Sequence, residues 1–297
     1  MTGRPAGMSV IINERSGAAR NPDVGVQVQS LFGKHGLSVR LERVRDPADL
    51  PARARQAASR GDVIVAAGGD GTVSAVAGVA VETRATIGVL PMGTLNHFAK
   101  DLGLPTDLEQ AVAAIAAGHT RDVDVGEVNG RVFVNNSSVG LYPRMVWERN
   151  VEQRRGRTKW TAFAIAMMRT WRNYRTITAH LVVEGKAAVV RTPFIFVGNN
   201  HYIAEGFQLG GRSRLDEGRL SVYMAPECGR FEILSLPVRA LVRKLESAEL
   251  FVEFPAETLT VDVPSRRVSV ALDGEVALSR SPLEYRIRLR ALKAMVP

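Results

Sequence analysis

Val63-Ile64-Val65-Ala66-Ala67-Gly68-Gly69-Asp70-Gly71-Thr72 is the stretch on which the fold turns: five apolar residues run straight into a glycine-rich turn carrying one carboxylate and one hydroxyl. An unbroken apolar run marks a strand buried on both faces, as in a parallel sheet, and open α/β sheets bind ligands just beyond the carboxyl ends of such strands. Gly68, Gly69 and Gly71 stand at that point. Lacking Cβ atoms, they let the backbone turn tightly and bring N–H groups to phosphate oxygens, with the positive end of the following helix behind them. A tight turn before a capped helix is the plainer reading, yet three glycines around an aspartate exceed what capping requires.

The flanking sequence repeats the pattern. Residues 9–12 read as a strand, followed by the polar turn Asn13-Glu14-Arg15-Ser16-Gly17 and a helix ending near Gly36. Residues 37–41 read as a second strand, and Asp46-Pro47-Ala48-Asp49 opens an Ala- and Arg-rich helix with proline near its start, where the missing N–H does no harm. After the glycine loop come a helix over 72–81 and a strand over 85–90, which ends in a second loop, Pro91-Met92-Gly93-Thr94-Leu95-Asn96. Alternation of this kind predicts a parallel sheet with helices on both faces. Beyond a helix at 107–117 the texture changes to strands over 121–128, 132–135, 177–183, 189–198, 220–224 and 258–272, with Asn129-Gly130 and Glu184-Gly185-Lys186 as turns. The expected division is an α/β nucleotide-binding domain over 1–125, a β-rich domain over 126–280, and a closing segment over 281–297.

Residues 144–175 interrupt the strands and read as helical, with Trp147, Trp160, Phe163, Met167, Met168 and Trp171 among nine Arg and Lys residues and only Glu148 and Glu152 as acids. A core helix with a charged outer face and a membrane-interface helix fit this pattern equally.

The 297 residues, 45% hydrophobic and 23% charged, suit two medium globular domains. One cysteine, Cys228, excludes an intramolecular disulfide and a cysteine zinc cluster and reads as an ordinary partly buried residue; the five histidines show no ligand spacing. No apolar run approaches the roughly 20 residues of a membrane span, and residues 1–9 lack a signal's apolar core, so a cytoplasmic location is expected. With 39 Lys and Arg against 30 Asp and Glu, a net charge of +9 favours nucleotides, nucleic acid or an acidic membrane surface as partners.

No Gly-x-x-x-x-Gly-Lys-Ser/Thr and no Gly-x-Gly-x-x-Gly occurs at the first loop. Gly68 to Thr72 instead suits a kinase loop in which glycines approach phosphates, Thr72 donates a hydroxyl and Asp70 holds Mg²⁺ or its waters. A kinase also needs a base near the acceptor hydroxyl, and Leu272-Asp273-Gly274-Glu275 supplies two carboxylates at a strand end, although Asp-Gly is also an ordinary hairpin turn.

Taken together, Gly68-Gly69-Asp70-Gly71-Thr72, Leu90-Pro91-Met92-Gly93-Thr94-Leu95-Asn96 and Leu272-Asp273-Gly274-Glu275 resemble the bacterial diacylglycerol kinase and related lipid kinase family, whose catalytic domain sphingosine and ceramide kinases share. Val197-Gly198-Asn199-Asn200 with Tyr202, Leu215-Asp216-Glu217-Gly218-Arg219-Leu220 and Arg290-Ala291-Leu292 extend the resemblance over almost the whole chain. It implies an ATP-dependent lipid kinase with an N-terminal α/β domain like those of NAD kinase and phosphofructokinase, a C-terminal β-sandwich, and a final segment that returns to the first domain. It implies ATP contacts from Asn13, Ser16, Gly17, Gly68, Gly69, Asp70, Gly71, Thr72, Gly93, Thr94 and Asn96. Glu275 matches the family's proton acceptor, with Asp273 a competitor for that role, and Asp70 completes the catalytic set. A structural Mg²⁺ is implied at the carbonyls of Arg214 and Arg219 and the carboxylate of Glu217. ATP, a lipid substrate and an anionic membrane surface at the inner face are the expected partners, without nucleic acid; acceptor and oligomeric state stay open.

Two departures stand out. Glu14 replaces the family's proline and brings negative charge toward phosphate, and Glu217 replaces an aspartate after Gly210-Gly211-Arg212-Ser213 in place of a proline-containing approach. NAD kinase, with a similar first loop, and a non-catalytic nucleotide-binding protein are the alternative readings; the Asp273-Gly274-Glu275 and 91–96 motifs favour the lipid kinase.

Overall fold

The computed structural model describes residues 7–202, 211–212, 214–225, 229 and 252–297. Cys228, Gly210, Ser213 and residues 1–6 lie outside these, and with them the readings placed there.

Four strands form the parallel part of the first sheet: β1 (Met8–Asn13), β2 (Val39–Val44), β3 (Val63–Gly68) and β4 (Ile87–Pro91), in the order β2-β1-β3-β4. Their apolar runs are buried because helices cover both faces. Val10, Ile12, Val65 and Ala67 pack against α1 (Val24–Lys34) and α5 (Leu108–Ala116), whereas Ile11, Ile64 and Ala66 pack against α2 (Leu50–Ser59) and α3 (Asp70–Thr83). The order reverses between β1 and β3, so the chain leaves those neighbouring strands toward opposite faces and opens a crevice at their carboxyl ends. A short helix, α4 (His97–Asp101), follows the loop after β4.

A 13-residue strand joins the two halves of the molecule. Strand β16 (Leu283–Met295) runs antiparallel to β5 (Thr120–Val128) along most of its length, pairs with β13 (Thr258–Asp262) at its start, and reaches β4 in parallel register at Ala294–Ile87. Its register shifts between Arg288 and Leu292, with Arg290 at φ +46° in the bulge. The first sheet therefore continues through β16 and β13 to β8 (Ile177–Val183) and β9 (Lys186–Thr192), and β6 (Arg131–Phe133) adds to β5. The C-terminal segment thus returns to the first domain. No linker separates the halves near Gly126, since β5 runs straight through that position opposite Ile287.

The second sheet is wholly antiparallel, in the order β12-β11-β10-β7-β14-β15, comprising β7 (Asn136–Gly140), β10 (Phe194–Asn199), β11 (Leu220–Met224), β12 (Val252–Ala256), β14 (Arg267–Leu272) and β15 (Glu275–Arg280). It packs on β8 and β13 through Val139, Ile195, Val222, Leu259, Val261 and Tyr285. Residues 189–198 and 258–272, each expected as one strand, are each two. Pro193, which has no N–H for a ladder, breaks the first, and Pro264-Ser265 lies in the gap of the second; at each break the chain changes sheets. Asn129-Gly130, Glu184-Gly185 and Asp273-Gly274 all have positive φ at both residues, the geometry of two-residue hairpin turns.

Residues 144–175 form a helical hairpin, α6 (Leu141–Arg154) and α7 (Lys159–Arg172), interrupted at Gly156 (φ +82°) and restarted by Thr158, whose hydroxyl accepts from the Thr161 N–H. Fully buried Glu152 holds the hairpin together, receiving Arg155 (2.9 Å), Arg157 (2.8 Å) and Arg169 (2.9 Å). Three of the basic residues of this stretch thus pair with a buried acid of the hairpin while their own side chains stay exposed to solvent. Among the described residues no helix is long and apolar enough to cross a membrane.

Gly126 faces the buried ring of Phe133 so closely that any Cβ there would fall within the ring's contact radius. Gly126→Ala is expected to cost about 1–3 kcal/mol through overpacking, measured as a lowered midpoint of denaturant unfolding.

Candidate active site

Three loops meet at the crevice beyond β1, β3 and β4. The first, 13–17, is shaped from within: Asn13 Oδ1 accepts from the Arg15 N–H (3.1 Å) and the Ser16 N–H donates to the Asn13 carbonyl (2.9 Å). It is tied to the third loop by the Ala18 N–H, which donates to the Met92 carbonyl (3.1 Å), and Gly17 (φ +20°) lies so near that carbonyl that no side chain fits. The second and third loops touch at their glycines: a Cβ on Gly69 would stand 3.2 Å from the Gly93 Cα and 3.3 Å from Ser16 Oγ. These glycines are required by close approach between backbones, and together with Ser16 they form a shallow cradle.

Several residues expected at the phosphates shape the cradle. Thr72 is buried, and its Oγ1 accepts from Asn13 Nδ2 (2.9 Å), lashing the end of β1 to α3. Asn96, at φ +52°, is buried with both ends of its amide spent on Gly93: Oδ1 accepts from the Gly93 N–H (2.9 Å) and Nδ2 donates to the Gly93 carbonyl (3.1 Å). Thr94 stands exposed at the loop tip. Asp70, in the first turn of α3, differs from all of these. Its Oδ1 is buried and without a hydrogen-bond partner, a costly state for a carboxylate oxygen unless a cation or donor is supplied. That orphaned oxygen beside a backbone cradle fits Mg²⁺.

The charge that Glu14 brings is cancelled locally. Arg43 Nε (2.6 Å) and Arg45 Nε (3.1 Å) bind its carboxylate, and the Arg43 hydrogen bond leads the interactions that hold its pKa below the ordinary value. The Glu14 N–H also donates to the Val44 carbonyl (3.0 Å), so the loop leans on β2 in place of proline's rigidity.

The two carboxylates after β14 have separate fates. Asp273 is buried and accepts from three consecutive backbone N–H groups, Val134 (2.9 Å), Asn135 (2.8 Å) and Asn136 (3.0 Å). Burial pushes its carboxyl up, against Ser74 and those three donors. Glu275, two residues on, projects into a groove of about 430 Å³ between α2, α3 and the 130–132 hairpin. Its Oε1 lies where a Gly71 side chain would be, 2.6 Å from the position of such a Cβ. Desolvation and then Asp273 raise its pKa, opposed by Arg131. The second domain thus delivers a carboxylate onto the glycine loop of the first.

The turn implied for a structural Mg²⁺ does not fit one. The Glu217 carboxylate faces Arg219 Nε (3.2 Å), the Arg219 carbonyl accepts from the Asn200 N–H (3.0 Å), and Asp216 pairs with Arg214 (3.1 Å). Buried Asp124 secures the turn, its two oxygens accepting from the Gly218 and Arg290 N–H groups at 2.8 Å each. Two of the three implied ligands, the Glu217 carboxylate and the Arg219 carbonyl, thus already have protein partners. Among the described residues no cluster of three or more His, Cys, Asp or Glu side chains is arranged for a metal.

One functional neighbour escaped the sequence. Arg212, seen there only as part of a departure, is buried and binds Asp101 at the end of α4 (2.7 Å), the Val134 carbonyl (2.7 Å), the Asn199 carbonyl (2.9 Å) and Asn135 Oδ1 (2.9 Å), above the Tyr202 ring. Nothing in the composition around position 212 marks a buried arginine.

Family models agree with this layout. Residues 7–128 match the diacylglycerol kinase catalytic domain and residues 142–296 the YegS C-terminal NAD kinase beta sandwich-like domain. The diacylglycerol kinase of Bacillus subtilis (strain 168) is 26% identical over 272 residues, 90% of this chain and 88% of the relative. That of Staphylococcus saprophyticus is 36% identical over 129 residues, 43% of this chain and 41% of the relative. Two crystal structures from Bacillus anthracis str. Sterne that carry the diacylglycerol kinase designation share the fold. Their TM-scores are 0.78 and 0.70 at 20% and 18% identity, covering 100% and 98% of this chain and 97% of each of theirs.

Asp273→Ala leaves three buried N–H groups without an acceptor and is expected to cost about 3 kcal/mol or more, read from denaturant unfolding. Glu275→Gln has the opposite sign. Because the folded pKa of Glu275 is raised, its destabilising effect grows as pH rises through the ordinary value of 4.5 and is complete above the folded value. The variant is therefore expected to be more stable than the parent at neutral pH and indistinguishable from it in acid, in thermal melts across that range.

Proposed function

The chain belongs to the diacylglycerol kinase family, and we propose that it transfers the γ-phosphate of ATP to the hydroxyl of diacylglycerol or a closely related lipid in the presence of Mg²⁺. The observation that carries this reading is the placement of Glu275 against Gly71, which puts a carboxylate of raised pKa beside a glycine cradle at the switch point of a parallel sheet.

The roles follow from what each side chain has left to give. Asp273 has its oxygens committed to the backbone, so it serves to position the turn, and Glu275 is the base. A pKa held above the ordinary carboxylate value by burial and Asp273 makes Glu275 a stronger proton acceptor, with Arg131 favouring the charged form. Gly17, Gly69, Gly71 and Gly93 would let the triphosphate approach the backbone closely, Ser16 would offer its hydroxyl, and Asp70 Oδ1 is the free oxygen that would hold the metal. Bound there, Mg²⁺ supplies charge neutralisation across the phosphates. The acceptor's glycerol end would enter the groove before Glu275, whose floor includes Leu50, Val79, Val132 and Leu272. A peripheral position at the cytoplasmic face of the membrane suits a lipid acceptor and a net charge of +9.

Glu275→Gln is expected to lower kcat for lipid phosphorylation by about 10²–10⁴-fold while leaving ATP affinity nearly unchanged. Asp70→Asn should weaken Mg-ATP binding as well. The assay is radiolabelled ATP against diacylglycerol, monoacylglycerol, sphingoid bases and ceramide in mixed micelles, with nucleotide binding measured separately. No phospholipid from the parent protein with any of these acceptors would refute the kinase reading.

A further inference from the structure

At the end of the sandwich away from the glycine loop lies a cavity of about 800 Å³, walled by α6, the start of β8 and the 263–269 segment. Arg267 and Leu272 close opposite ends of β14, so Arg267 stands roughly 16 Å from the strand end that leads into the Asp273-Gly274-Glu275 turn, at the rise of a strand. Its inner wall is apolar, with Val139 and Val263 buried between the sheets. Its mouth carries the exposed guanidinium groups of Arg144, Arg175 and Arg267, and no Asp or Glu lines it. Trp147, 55% exposed, stands beside them.

The contrast with the rest of the helical hairpin is informative. Arg155, Arg157 and Arg169 are paired with Glu152, and Arg169 also with Glu148. Arg144, Arg175 and Arg267 have no carboxylate partner among the described residues; Arg144 alone makes a long bond to the Asn173 carbonyl (3.4 Å). Three guanidinium groups lining one cavity suit a dianionic phosphate better than a monoanionic one, because each offers paired donors to phosphate oxygens. An apolar floor behind them suits the stem of an amphiphile, and an indole at the rim suits the water–lipid boundary.

We propose that this cavity is a second lipid site, separate from the catalytic groove, that binds the phosphomonoester headgroup of a phosphorylated lipid held in a membrane. Among membrane lipids that chemistry is what the kinase reaction generates, so identifying the occupant as product rests on the function proposed above. The site would retain the enzyme where product accumulates.

The test is cosedimentation of the full chain with phosphatidylcholine vesicles carrying either phosphatidic acid or phosphatidylglycerol, matched in surface charge. The parent protein should prefer phosphatidic acid. Arg175→Gln/Arg267→Gln should lose that preference by about tenfold, while phosphorylating monomeric short-chain diacylglycerol at the parent rate. Equal binding of the parent to both vesicles, or an unchanged preference in the variant, would overturn the proposal. So would displacement from phosphatidic acid vesicles by inorganic phosphate alone, which would assign the cavity to a free anion. Should the double variant fail to fold, phosphatidic acid with brominated acyl chains should quench the part of the fluorescence that Trp147→Phe removes, and no quenching would overturn the proposal. Absent transfer to any lipid would refute the kinase reading and leave the vesicle result standing by itself.

Discussion

Three consecutive peptide groups, Val134 to Asn136, are gripped from two sides, and the site depends on that grip. Asp273 takes their N–H groups; Arg212 and Asn199 take the Val134 carbonyl, and Arg212 also binds the Asn135 side chain. A buried carboxylate and a buried guanidinium are each costly alone, and here each is satisfied chiefly by backbone and by Asp101. The segment leads from β6 in one sheet to β7 in the other, so the clamp fixes how the sheets meet. Because Asp101 ends α4, which follows the 91–96 loop, the same network ties the glycine cradle to the turn that carries Glu275. The alignment of the two halves of the proposed site is thus a matter of hydrogen-bond geometry at one short stretch of chain.

The parallel sheet was legible because its cause is local. Apolar runs such as 63–67 and 85–90, each ended by glycine or proline, have one stable solution when helices alternate with them. Hairpin turns at Asn129-Gly130 and Asp273-Gly274 were legible for the same reason, since few dipeptides accept positive φ twice. What stayed hidden is whatever depends on partners distant in the chain. Asp273 and Glu275 look equivalent in sequence, and only the arrival of residues 134–136, well over a hundred positions upstream, turns one into an anchor. Asn96 has the chemistry of a phosphate ligand, but both ends of its amide are used in building the loop, and Thr72 Oγ1 accepts a bond from Asn13. Arg212 was invisible, because a buried arginine has no pattern of its own.

Electrostatic substitutions follow one logic where the chain departs from its relatives' motifs. Glu14 is paired with Arg43 and Arg45, and Glu217 with Arg219, so the carboxylate at each departure faces a guanidinium. In the first case the loop near the phosphates keeps its shape without added negative field. In the second the turn at 214–219 is held by Asp124, Asn200 and arginine side chains, the kind of support a divalent ion would give.

The placement of β16 bears on how the molecule is made. It follows every other strand in sequence, yet it borders β4 at the centre of the first sheet and β13 in the sandwich. Until it is synthesised, β4 presents an unpaired edge and the sandwich lacks a central strand. The N-terminal half cannot be completed as it leaves the ribosome, as independent domains are, and both halves must close together. Until β16 pairs, a bare sheet edge is exposed to whatever binds such edges.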